Sequence, residues 1–161
     1  MSRAESLAPA ASEFVEAFSA VVDVLPVVAY LADIEGNVTF VSSGWQRFTG
    51  NAPAALLGRS YLTLVHPEDL PRVQAAVQAG RDAGVSYTAE LRIRFGDGSY
   101  RWVSTQADPI RDRGQLVFWC GLVREVHDWR LAEIAMAEAL RAADERADSL
   151  ATSEERYRLL S

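Results

Sequence analysis

Apolar and polar residues change period several times along this chain, and each change marks an element. From Ser12 to Leu25 the residues Phe14, Val15, Phe18, Val21, Val22 and Leu25 recur at helical spacing. With Ser12 as cap and Pro26 as stop, this predicts a short amphipathic helix. VVAYLADIEGNVTFVSS, residues 27–43, holds two β-type runs around Glu35-Gly36-Asn37, a hairpin signal. Gly50, Pro53 and Gly58 then break the stretch Gly44 to Leu64 into short helical turns. HPEDLPRVQAAVQAGRDAG, residues 66–84, reads as one helix: Pro67 suits its first position and Glu68 and Asp69 the positive end of the dipole. Leu70, Val73, Ala76 and Val77 form its buried stripe, and Gly80 or Gly84 closes it.

After Gly84 the period is two. Val85, Tyr87, Ala89, Leu91, Ile93 and Phe95 alternate with Ser86, Thr88, Glu90, Arg92 and Arg94, the pattern of a half-buried antiparallel strand. GDGS at 96–99 is a tight turn, YRWVSTQADPI a second strand, RDRGQ another turn and LVFWCGLVREV a third strand. Two strands, several short helices, a longer helix and three strands make an α+β domain with one mainly antiparallel sheet.

The third strand passes, with no glycine or proline between, into a long helix from about Asp128. Steps of three and four place Trp129, Glu133, Met136, Leu140, Ala143, Ala147, Leu150, Glu154 and Tyr157 along one line, and seven of these nine are apolar or aromatic. So thin a seam does not stabilise an isolated helix of about 30 residues. It either pairs with a second copy, with Met136, Leu140, Ala143, Ala147 and Leu150 at the seam, or folds back on its own sheet. Glu133 and Glu154 weaken the pairing, as a switch requires.

Composition narrows the function. The chain has 161 residues, 49% of them hydrophobic, enough for one domain with a core plus extensions. No apolar run reaches the roughly 20 residues of a membrane span, and MSRAESLAPAASEF lacks the apolar core of a secretory signal. The net charge of −6 argues against nucleic acid as a partner. All 16 basic residues are arginine, which excludes a Schiff-base or phosphate-loop lysine. Cys120 is the single cysteine, so there is no internal disulfide and no multi-cysteine metal site.

Several segments, in order and at matching spacing, resemble a PAS (Per-Arnt-Sim) domain, the sensory module of bacterial multidomain signalling proteins. They are Asp33 and Gly36 ahead of VTFVS; GWQRFTG and LLGRS; HPEDL at 66–70; ELRIRFGDGSYRWV at 90–103; and ADPIRDRGQ before the third strand. The resemblance covers residues 26–127. It departs where Glu125-Val126-His127 replaces the usual Asp-Ile-Thr, and where SSGW at 42–45 stands in place of a usual asparagine. Hydrogen bonds at those two points are therefore not carried over from the family.

The resemblance implies a five-stranded antiparallel sheet with small helices on one face, enclosing a cavity or a packed core. An N-terminal helical cap, residues 1–25, and a C-terminal coiled-coil signalling helix, residues 128–161, would flank it. SEERYRLLS resembles the opening helix of a further domain, so the chain reads as the N-terminal part of something longer. The implied function is that of a cytoplasmic, homodimeric sensory module relaying a signal to a histidine kinase of a two-component system. The alternatives are a haem- or flavin-binding redox or gas sensor, or the PAS module of a diguanylate cyclase.

Phe40, Trp45, Tyr61, Leu64, Val73, Val77, Leu91, Ile93 and Trp119 are the candidate pocket residues; aromatic members can stack on a ligand ring or simply fill a core. Haem-binding relatives place an axial histidine on the helix facing the cavity, and residues 70–83 contain none, so no cofactor is assigned. His66, in the helix-start motif, reads as a structural hydrogen-bonding residue. Cys120 lies on a strand, whereas the photoreactive cysteine of flavin light sensors lies on a helix in an Asn-Cys-Arg-Phe motif that this chain lacks. Arg92, Arg94, Arg101 and Arg124 fall on neighbouring strands as a cationic patch, a carboxylate pocket or a solvated face, with Glu90 and Glu125 beside them. Glu125, Val126, His127 and Trp129 form the strand-to-helix relay. Asp69, His66 and Tyr61 could be written as acid–base groups, but no nucleophile, metal cluster or phosphate loop accompanies them, so the chain is not read as an enzyme.

Overall fold

The computed structural model describes residues 4–161, with side chains from Ser12 onward. It resolves into two compact units, Met1–Glu125 and Val126–Ser161. In the first, helix α1 (Ala4–Val22) precedes strands β1 (Val28–Ala32) and β2 (Val38–Val41), the short helix α2 (Gly44–Thr49), two 3-10 turns (Pro53–Leu56 and Ser60–Leu64) and helix α3 (Leu70–Ala83). Strands β3 (Tyr87–Arg94), β4 (Tyr100–Asp112) and β5 (Gln115–Glu125) complete it. The second unit is helix α4 (His127–Leu160), 34 residues long with none buried. Among the described residues no helix is long and apolar enough to cross a membrane.

The five strands form one sheet in the order β2-β1-β5-β4-β3, every neighbouring pair antiparallel. Sequence-distant β1 and β5 lie side by side at its centre, with Tyr30 opposite Gly121. The alternating residues of β3 behave as their period requires: Ala89, Leu91 and Ile93 are buried on one face. That face, with Val103 of β4 and Val123 of β5, packs against Trp45, Leu56, Leu64, Val65 and Val73 from the helical segments. The opposite face takes α1, whose Phe14 stacks on Phe118 at 6.1 Å and whose Phe18 meets Phe40 edge-on at 5.8 Å.

Three boundaries differ from those the sequence predicts. Helix α1 starts before Ser12, so that residue lies inside the helix rather than capping it, and the helix ends at Val22 rather than Leu25. Helix α3 begins at Leu70, not Pro67, because residues 67–69 form turns and the Asp69 carboxylate is committed to Arg92 instead of capping the helix. Val85 lies ahead of β3 and is exposed, since the Gly84 turn, with φ of 64°, separates it from the strand.

Candidate functional site

The sheet and the helical segments enclose a cavity of about 80 Å³. Its walls follow from strand alternation: Leu91 and Ile93 of β3, Val103 and Thr105 of β4, and Trp119 and Val123 of β5 all project to the same face. Trp45, Tyr61, Leu64, Val73 and Val77 close it from the helical side. Trp45 is held there by its indole N–H, which donates to the carbonyl of Ala29 at 3.0 Å. The cavity thus gathers eight of the nine pocket candidates. Phe40 is the exception: a strand side chain faces one side of the sheet only, and this one faces α1.

One end of the cavity is polar. The Tyr30 hydroxyl meets the Thr105 Oγ1 at 3.3 Å, and the Tyr87 ring lies tilted against Trp119 at 5.6 Å. Burial pushes the Tyr30, Tyr61 and Tyr87 phenols up, so all three remain protonated donors near neutral pH. Arg81, in the last turn of α3, reaches the β1–β2 hairpin, where its Nη2 donates to the Ile34 carbonyl at 3.1 Å. Gly36, with φ of 85°, leaves room for that guanidinium; a Cβ there would lie 2.6 Å from Nη1.

Tyr30, Arg81, Tyr87 and Thr105 line the cavity and were missed by sequence reasoning. The three strand residues obey the same alternation as their apolar neighbours, so period two would have found them. Arg81 carries no such signal, since an arginine near a helix C-terminus reads as a solvated charge favoured by the dipole.

Two of the four patch arginines, Arg92 and Arg101, are ion-paired. Arg92 donates to both Asp69 oxygens and to Glu68, and its guanidinium lies over Trp102. Arg101 pairs with Asp97 and, at 3.6 Å, with Glu125. These arginines are committed to neighbouring acids and are not available as a carboxylate pocket. The Glu125 contact is one of the arginine pairings the sequence suggests, but both partners are about a third exposed, so it adds little stability. His66 is outside the cavity lining: its Nδ1 accepts the Glu68 N–H at 3.3 Å and its ring meets Tyr100 edge-on. Cys120 lies on β5 between the inward Trp119 and Gly121, and burial raises its thiol. Among the described residues no cluster of three metal-ligating side chains occurs.

The residues expected to form a relay lie within five positions: Glu125 ends β5, Val126 is the single residue between the elements, and His127 and Trp129 fall in the first turn of α4. Met136, Leu140 and Leu150 of the seam are all exposed, Met136 at 77%.

A five-stranded antiparallel sheet, with short helices and one longer helix closing a chamber over one face, is the architecture of a sensory domain. The family model described as the PAS fold matches residues 38–123, and the chain belongs to that family. It is 30% identical over 138 residues to an uncharacterized protein of Sinorhizobium fredii, covering 85% of this chain and 16% of that protein. It is 26% identical over 143 residues to the peroxide stress-activated histidine kinase mak1 of Schizosaccharomyces pombe, covering 88% of this chain and 8% of the kinase. A sensory box histidine kinase/response regulator of Burkholderia thailandensis superposes with a TM-score of 0.62 at 21% identity, covering 80% of this chain and 98% of that one. The chain therefore spans under a fifth of either full-length relative.

Proposed function

We propose that this chain is the sensory module of a cytoplasmic, multidomain signalling protein. It pairs with its copy through α4 and reports the state of its cavity to an output domain, a histidine kinase. The observation that carries this reading is the course of β5. Trp119 and Val123 are cavity walls on that strand, and two residues past Val123 it ends at Glu125, with Val126 alone between it and α4. A ligand that moves these walls moves a strand held on both sides by hydrogen bonds, so displacement runs along its axis to Val126. The exposed apolar seam of α4 supports pairing, since an unpaired helix gains nothing from leaving Met136, Leu140 and Leu150 in water. Paired helices with small and acidic seam positions need only a small energy difference to rotate or change register. The cavity volume supports a small ligand over haem or flavin: about 80 Å³ is roughly half the 150 Å³ that admits benzene. An absorption spectrum of the purified protein checks this directly, since a Soret band or a flavin doublet would replace the small-ligand reading.

Proline at Ala132 tests the relay in the full-length protein. It removes a helix hydrogen bond near the start of α4 and costs about 3 kcal/mol locally. Kinase output should lose its response while the sheet keeps its near-ultraviolet circular dichroism. Unchanged regulation would overturn the route.

A further inference from the structure

Two donors at the polar end of the cavity have no acceptor. Trp119 is 1% exposed, yet its indole Nε1–H has no hydrogen-bond partner, and the buried Nε–H of Arg81 is in the same position. An unsatisfied buried donor costs about 1–3 kcal/mol, so two at one site call for an explanation. Trp45, with an equivalent group, satisfies it on Ala29. Among the described residues Arg81 forms no ion pair: its Nη2 donates to the Ile34 carbonyl, and no acidic residue lines the cavity. Nearby arginines differ, since Arg92 and Arg101 are both ion-paired. The remaining polar lining, Tyr30, Tyr61, Tyr87 and Thr105, consists of hydroxyls able to donate. Much of the rest of the lining is aliphatic, with Val73, Leu91, Ile93 and Val103.

We infer that the cavity takes a small monocarboxylate with a short aliphatic body, its carboxylate held by the Arg81 guanidinium and the Trp119 indole N–H. This rests on reading the cavity as the sensory chamber and specifies what enters it. A carboxylate supplies the acceptors that both donors lack and the countercharge that the guanidinium lacks, and charge-assisted bonds of this kind are the strong ones. A body of one or two carbons fits beside the aliphatic lining, and about 80 Å³ excludes much more without expansion. Binding would also act on β5, since Trp119 sits on that strand.

The full 161-residue chain is titrated with propionate and, separately, with propionamide, which has the same shape without the charge. The readouts are the Trp119 indole N–H resonance, assigned with Trp119→Phe, and the melting temperature. Propionate should shift that resonance and raise the melting temperature, while propionamide binds at least about tenfold more weakly. Arg81→Gln should remove that preference with the fold intact by circular dichroism, and Arg81→Lys should restore part of it. Equal uptake of acid and amide would overturn the carboxylate assignment and leave the chamber reading standing. If neither compound moves any resonance of the lining, the chamber reading falls as well.

Discussion

Tyr30 and Gly121 face each other across the central β1–β5 pair, and the tyrosine ring occupies the space that a side chain on residue 121 would take. A Cβ on Gly121 would lie 2.0 Å from the Tyr30 Cζ and 2.1 Å from its Cε1. The glycine is thus what lets the phenol lie flat over the strand with its hydroxyl at Thr105. Gly121→Ala should cost about 1–3 kcal/mol through forced repacking. Tyr30→Ala in the same chain should recover part of that loss, so the pair is less than additive in urea unfolding. A neutral Gly121→Ala would show that the ring relocates freely.

Asp69 is 4% exposed, and its carboxylate joins the start of α3 to β3. Its Oδ2 accepts the Arg92 N–H at 2.8 Å and Nε at 3.1 Å, and its Oδ1 accepts Nη2 at 2.8 Å. Asp69→Ala leaves the Arg92 backbone N–H and part of its guanidinium unpaired and should cost about 2–4 kcal/mol. Hydrogen bonds from the Arg92 side chain hold the Asp69 carboxyl below its ordinary 3.8, against the opposing effect of burial. With the folded value depressed, this stabilisation is complete only above about pH 5 and drains away as pH falls through 3.8 toward the folded value. Asp97, drawn down to about 2 chiefly by Ser99, acts in the same direction. Urea midpoints of the wild type should fall between pH 5 and 3, as ordinary carboxylates titrate there, and those of Asp69→Asn should fall less. Parallel slopes would show that Asp69 does not drive the acid sensitivity.

Ser42 opens the SSGW stretch in which the sequence departs from the family's usual asparagine. Fully buried, its hydroxyl accepts the Ala29 N–H at 2.9 Å and donates to the Val27 carbonyl at 3.1 Å, tying the exit of β2 to the entry of β1. Ser42→Ala strands both backbone groups and should cost about 2 kcal/mol. Differential scanning calorimetry checks this; a melting temperature within a degree of wild type would mean that water replaces the hydroxyl.

How much of this was legible in the sequence depends on whether a feature follows from local pattern. The five strands and the long helices follow from period, since alternation in VSYTAELRIRF puts Leu91 and Ile93 on one face whatever covers it. Eight pocket candidates were found the same way or through the family motifs. Features set by contacts between distant segments were not legible. The start of α3 moves because Asp69 is drawn to Arg92, 23 residues away, and Phe40 turns outward because α1 covers that face. Arg81 enters the site only through the spatial meeting of α3 with the hairpin at Ile34, 47 residues distant. Gly80 is similar: it reads as a helix stop, whereas a Cβ there would lie 2.4 Å from the Tyr87 Cδ1, so it is a contact surface for β3.

Leu140 of α4 is 65% exposed and lies midway along the seam, where two copies would bring it against its counterpart. A seam of this composition gains from burial at only a few large positions, Met136, Leu140 and Leu150, because Ala143 and Ala147 contribute close approach rather than area. Loss of one leucine should therefore be felt across the whole helix. Leu140→Glu places like charges face to face in a partly desolvated seam and should weaken self-association by at least about tenfold, which corresponds to 1.4 kcal/mol. Sedimentation over a concentration series reads the association, and the helical circular dichroism signal should fall with it, because a helix that depends on its partner frays when the partner leaves. Leu131→Glu, half exposed and off the seam line, is the control and should leave association unchanged. If Leu140→Glu sediments as the wild type does, the helix is not paired along this face and the proposed dimeric relay fails.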